Sequence, residues 1–146
     1  MIAFTALMVE PAPSGPQRYQ DRYADSPETL CRVRSDVALY LNTWGLDGPV
    51  VADAQSIATE LVANAIRHTS SHHIGMSVTR TGRDSVRITV TDSSRKPPVP
   101  AAELGDAVAE SGRGLLMVDA LAQNWGTDIV STGKRVWADL VAKALR

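Results

Sequence analysis

Three sets of residues in this 146-residue chain have the types and spacing to do chemistry. The first is Glu60, Asn64 and His68, each four residues from the next. On a helix that spacing forms one polar stripe. The second is Asp92, at the end of an alternating segment. The third is Gly112-Arg113-Gly114, ahead of the apolar run LLMVDALAQ. A carboxylate can orient or deprotonate an attacking hydroxyl. A carboxamide oxygen suits Mg²⁺, a hard cation that keeps several waters. A buried aspartate can accept a hydrogen bond from an amino group such as that of adenine. Glycines at the amino end of a helix let phosphate approach free N–H groups and the positive end of the dipole. Each set also has a plain alternative: a solvated pair, a turn former, a tight turn. Together, in this order, they describe a nucleotide site.

The elements that must position these residues are legible from periodicity. Ala58, Leu61, Val62, Ala65 and Ile66 form an apolar face beside the stripe, within a helix predicted over Pro49–Thr69. Asparagine is a poor interior helix residue, because its amide competes for backbone hydrogen bonds. Something other than helix stability therefore keeps Asn64. Upstream, Ser26-Pro27-Glu28 predicts a helix start, with a hydroxyl cap and proline at the first helical position. Leu30, Val33, Val37, Tyr40, Leu41 and Trp44 follow at helical spacing and Gly45 ends the run. Arg18–Ala24 reads as a short strand. Residues 1–17, ending in PAPSGPQ, read as an extension, either a loose tail or an edge strand through Phe4, Leu7 and Val9.

Beyond the stripe the period changes to two. Ile74, Met76 and Val78, then Val86, Ile88 and Val90, predict a hairpin with one buried face. Residues 95–111 read as a mobile loop with a short helix near Ala101–Val108. The last strands, Trp125–Val130 and Arg135–Val141, are joined by Ser131-Thr132-Gly133-Lys134, where Lys134 reads as a turn residue. The order predicts an α+β fold over residues 18–146: a two-layer α/β sandwich whose sheet is mixed but mostly antiparallel, with one face open.

Composition removes several classes. A formal net charge of -1 argues against a protein held to nucleic acid by phosphate contacts. The single cysteine, Cys31, cannot make an internal disulfide and reads as a small packing residue on the first helix. No run reaches the ~18 apolar residues of a membrane helix. MIAFTALMV lacks a basic leader region, so a cytoplasmic location is the default. His72 and His73 have no acid or cysteine partners at ligand spacing and read as surface residues. Arg32 and Arg34 read as solvated; Arg113 has two readings, a phosphate donor fork or a solvated side chain.

The motifs resemble those of the GHKL (histidine-kinase-like) ATPases with the Bergerat fold, and within them the stand-alone anti-sigma factor serine kinases. Glu60-Leu-Val-Ala-Asn64, with His68-Thr69 after it, is similar to the N box. Asp92 matches the first glycine-box aspartate, and Glu110-Ser-Gly112-Arg-Gly114-Leu115-Leu116 the second glycine box. Gly133-Lys134-x-Val136-Trp137 resembles the closing hairpin. The resemblance covers about residues 18–143 and implies the following. ATP and Mg²⁺ are the cofactors; Glu60 is the base or positioner and Asn64 holds Mg²⁺. Asp92 binds adenine; His68, Gly112, Arg113, Gly114 and Leu115 complete the binding set. The expected activity is phosphorylation of a serine or threonine on an anti-anti-sigma-like partner, with or without sequestration of a sigma factor, and the expected assembly is a homodimer. A nucleotide-gated binder without transfer is the alternative, and a fold that has lost ATP the third. One departure stands out: Ser93-Ser94 follows Asp92 where the family often has Asp-x-Gly-x-Gly, which bears on nucleotide affinity rather than fold. No helical hairpin is present for a phosphoacceptor histidine, which excludes a self-contained sensor kinase.

Overall fold

The computed structural model describes residues 17–68, 73–94 and 109–142, with side chains in the last segment from Gly114 onward. Strand β1 (Arg18–Ala24) is followed by helices α1 (Thr29–Thr43) and α2 (Pro49–His68). Strands β2 (His73–Gly82) and β3 (Ser85–Asp92) form a hairpin. Helix α3 (Ala109–Leu121) leads into a second hairpin, β4 (Asn124–Val130) and β5 (Gly133–Val141). The sheet order is β1-β2-β3-β5-β4. Every described pairing is antiparallel, so the parallel component allowed by the sequence is absent among the described residues.

The helices cover one face of the sheet. α2 lies between α1 and α3 and reaches β2, β3 and β5. Its Ile57, Ala58, Leu61, Val62 and Ala65 meet Ile74, Met76, Val78, Val86, Ile88 and Val90 in one buried cluster. Each fully buried Ile or Val there contributes roughly 1.5–3 kcal/mol. The alternate residues of β3, such as Arg87 and Thr89, face the uncovered side. There Arg87 forks onto Asp139 at 2.6 and 2.9 Å and lies over the Trp137 ring.

α1 begins at Thr29, two residues after the proline that the sequence places first in the helix. The Ser26 hydroxyl donates to the Glu28 carboxylate, holding that carboxyl below its ordinary range, and Ser26 caps only through its backbone oxygen. The Thr29 hydroxyl turns back to the Ala24 carbonyl at 2.9 Å. At the other end Gly45 is left-handed (φ 79°). The Leu46 and Gly45 N–H groups donate to the Leu41 and Asn42 carbonyls, a Schellman closure as the glycine predicts. Cys31 is exposed and not a packing residue, because it lies on the solvent side of α1. The N-terminal edge strand and the short helix over Ala101–Val108 that the sequence suggests lie outside the described residues.

β1 is fastened to α1 by an aromatic corner. Tyr19 and Tyr40 stack with centroids 4.4 Å apart, and Trp44 tilts against Tyr19 at 5.3 Å. The buried Tyr23 hydroxyl donates to Asp36 at 2.6 Å. Arg32, expected to be solvated, instead bonds Asp21 at 2.8 Å and lies over the Tyr23 ring.

Candidate functional site

Glu60 and Asn64 project from α2 one turn apart, as their spacing requires. Glu60 is half-buried, and α3 crosses it at Gly114. A Cβ at Gly114 would meet the Glu60 Oε2 atom directly and come within 2.9 Å of the carboxyl carbon. Only glycine allows that approach. Gly112 and Gly114 lie inside the first two turns of α3, not ahead of it. The free N–H groups of a helix belong to its first four residues, so Gly114 serves by close approach and not by presenting an N–H to phosphate. Gly112 remains within the stretch whose N–H groups are free. The Leu115 side chain is 2% exposed and belongs to the core. His68 ends α2 and is exposed. The Arg113 side chain lies outside the described residues.

Asn64 is buried, and among the described residues its Nδ2 atom has no hydrogen-bond partner. Its Oδ1 accepts from Arg67 Nη2 at 2.5 Å. A buried amide donor left unmade costs about 1–3 kcal/mol, so a donor of this kind is one that a ligand can satisfy. Oxygen is the atom that Mg²⁺ takes. Arg67 is exposed, so its bond to Oδ1 can be exchanged for hydration at little cost. The donor chemistry thus fits a hard cation at Asn64.

Asp92 sits at the carboxyl end of β3 with its side chain on the helix-covered face. α2 ends four residues before β2, and Gly75 of β2 pairs with Thr91 of β3. The topology therefore brings Asn64, at the carboxyl end of α2, to the same end of the sheet as Asp92. The carboxylate is bonded by Lys134 Nζ at 3.1 Å (Oδ1) and 3.0 Å (Oδ2), and by the Ser94 N–H at 2.7 Å. The Asp92 and Lys134 side chains are 1% and 4% exposed. Lys134 is thus not a turn residue. The turn is only Ser131-Thr132, and β5 already starts at Gly133. Gly133 is left-handed (φ 153°), and a Cβ there would press on the Asp92 backbone, coming within 2.9 Å of the Ser93 Cα. That glycine seats Lys134 against Asp92. The sequence reading missed Lys134 and Arg67 as members of the site. The spacing of Arg67 from Asn64, three residues along one helix, was a signal for it.

A family model described as the histidine kinase-like ATPase domain matches residues 23–140. The chain belongs to that family. No curated protein matches this ATPase domain. Among solved structures it is similar to the RsbU and RsbW domains of Rv1364c from Mycobacterium tuberculosis, with a TM-score of 0.62 and 20% identity. That match covers 85% of this chain and 31% of the other, so this chain spans about a third of that relative. At this identity the likeness is one of fold. The antiparallel sheet and its three covering helices are those of a histidine-kinase-like ATPase domain, a family whose nucleotide is ATP. Among the described residues no helix is long and apolar enough to cross a membrane.

Proposed function

We propose that this ATPase domain is a regulatory kinase that transfers phosphate to a serine or threonine of a partner resembling anti-anti-sigma proteins. The observation that carries the reading is the Glu60–Asn64 face of α2. A half-buried carboxylate is held against Gly114 of α3, and one turn away is a buried carboxamide with an unpartnered nitrogen. A purely structural helix has no use for either group. Mg²⁺·ATP, when bound, supplies the transferable phosphoryl group. Glu60 positions or deprotonates the incoming hydroxyl. Asn64 offers its oxygen to the metal, and Asp92 reads the base. The amino end of α3, with Gly112, faces the phosphates, and Arg113 and His68 lie at the positions the family uses to complete the set. A partner of the anti-anti-sigma class, a sigma factor and a second copy of the chain are the associates that the resemblance of the motifs suggests, and the fold likeness to a structure containing an RsbW domain accords with that reading.

A second reading, a nucleotide-gated binder without transfer, is favoured by one observation: Asn64 Oδ1 is already engaged by Arg67. Labelled-phosphate transfer separates the two, using partner captured from native lysate and identified. Glu60→Gln is expected to keep ATP binding and slow transfer by roughly 10²–10⁴-fold. Wild type that binds both ATP and partner yet transfers nothing would establish the binder.

A further inference from the structure

The uncovered face of the sheet carries a concave site that the nucleotide reading does not use. A basin of about 160 Å³ opens there across β1, β2, β3 and β5. Its floor is made of small residues: Ser77 faces Thr89 in register, and Gly75 faces Thr91. Gly75 keeps the basin deep, since a Cβ there would come within 2.5 Å of the Thr91 hydroxyl oxygen. Trp137, the register partner of Thr89 on β5, leans the other way, over Gly126 of β4. An added Cβ on Gly126 would meet that ring at 2.7 Å. The space above Thr89 is thereby left open. Thr91 and Arg135 adjoin Asp92 and Lys134 in paired register, so this basin lies back to back with the buried pair through β3 and β5.

The rim is cationic. Arg18 stands at one corner on β1 and Arg135 at the diagonal corner on β5, three strand spacings or ~14 Å across the sheet. Among the described residues neither arginine forms an ion pair. No acidic side chain lines the basin. Asp139 on the same face is committed to Arg87, and Asp128 stands outside the basin on β4, opposite Arg135.

We propose that this basin is a second ligand site, for a small dianion of the short dicarboxylate class. Each guanidinium offers a planar fork that matches a carboxylate with two parallel hydrogen bonds. Two forks entering from opposite corners answer a molecule charged at both ends, whereas a phosphate carries its charge at one centre. The Ser77, Thr89 and Thr91 hydroxyls can donate to the oxygens from below. The size agrees, because a cavity of about 150 Å³ takes a ligand as large as benzene. Succinate fits such a space with its ends toward the two arginines.

The test is an NMR titration of the full chain with succinate, with butyrate and with inorganic phosphate. Succinate is expected to bind at about the millimolar level, the scale of a small ligand in an open site, and to shift the Thr89, Thr91 and Arg135 amides. Butyrate has the same chain length but one charged end, so it should bind at least about tenfold more weakly, and phosphate should also fall below succinate. Arg18→Gln and Arg135→Gln are each expected to weaken succinate by about tenfold, with the fold intact because both residues are exposed. Arg34→Gln makes the same change of net charge on α1 and should leave succinate binding as it is. Absence of succinate binding at roughly 100 mM overturns the proposal. Butyrate or phosphate bound as tightly as succinate also overturns it, since recognition is then not two-ended. Succinate displaced by Mg²⁺·ATP, with both arginine variants binding it normally, belongs to the nucleotide site and overturns the second site. The titration needs no ATP binding to succeed, so failure of the nucleotide reading is a separate result.

Discussion

At the β1 edge, Tyr19, Tyr23, Tyr40 and Trp44 close a corner whose buried hydroxyl and neighbouring charges answer one another. Tyr23 donates to Asp36, Arg32 bonds Asp21, and the rings stack on one another. On α2 beside α3, and at the end of β3, the accounts are left open. A carboxamide nitrogen is buried without a partner among the described residues, and a lysine and an aspartate are buried together. Both regions lie on the same helical layer and share one apolar core. The difference teaches where selection for stability stops. The corner is made of groups that are worth most when paired within the protein. The α2–α3 end keeps groups whose best partner is something else, at a cost the core must carry.

The strongest way to break the contrast is Lys134→Met. It leaves the Asp92 carboxylate buried without its cation, and such one-sided removals cost roughly 3–5 kcal/mol. For a domain of this size that lowers the melting temperature by roughly 10 °C. The double variant Asp92→Asn/Lys134→Met removes both charges and is expected to recover most of the loss, because a buried pair is worth little beyond a neutral replacement. Thermal melts of the two variants check this. A single variant as stable as wild type would mean that Asp92 is solvated after all.

A smaller effect is expected at the satisfied corner. Tyr23→Phe deletes the hydroxyl that serves Asp36 while Arg32 remains nearby, so the loss is about 1–2 kcal/mol. It also has a pH signature. Burial first, then the bond and charge of Asp36, hold the Tyr23 phenol far above its ordinary range. A raised pKa stabilises the fold fully below the unfolded value of about 10 and is lost as pH rises from there. Wild type should therefore lose stability steeply above pH 10 in denaturant titrations, and Tyr23→Phe should lose less over that interval. Parallel curves for the two proteins would exclude Tyr23 as the source.

Most of this architecture was legible in the sequence, and the misses have physical causes. Helix α2, the inward set of β2 and β3, and the left-handed Gly45 follow from periodicity and glycine chemistry, which are local. Local rules failed where a residue's meaning depends on a distant partner. Lys134 read as a turn residue because four residues seemed to link the last strands. With a two-residue turn it falls in step with Val136, Ala138 and Leu140, and that parity was present in the sequence. Its partner Asp92 lies 42 positions away, which no spacing rule reaches. Ser26 failed as a side-chain cap because its hydroxyl had a competing acceptor in Glu28. Gly112-Arg113-Gly114 read as a turn before a helix, yet α3 runs through it, since tertiary contact with α2 rewards a small residue there more than helix propensity penalises it.

The smallest effect on stability is expected where the effect on function is sharp. Asn64→Ala removes a buried amide whose nitrogen is unpartnered and whose oxygen is held by an exposed arginine. The fold loses one surface-side hydrogen bond and is relieved of one unsatisfied donor. Alanine is also the better helix former, by up to about 0.7 kcal/mol. The net change should lie within about 1 kcal/mol of zero, since the lost hydrogen bond is offset by the relieved donor and the better helix former. Mg²⁺-dependent ATP binding should nevertheless weaken, while any metal-independent binding persists, because only the oxygen donor to the cation is gone. Denaturant titration and calorimetry with and without Mg²⁺ give the two readouts on one sample. A large stability loss with unchanged Mg²⁺ dependence would reverse the contrast between the two regions and make Asn64 a structural residue.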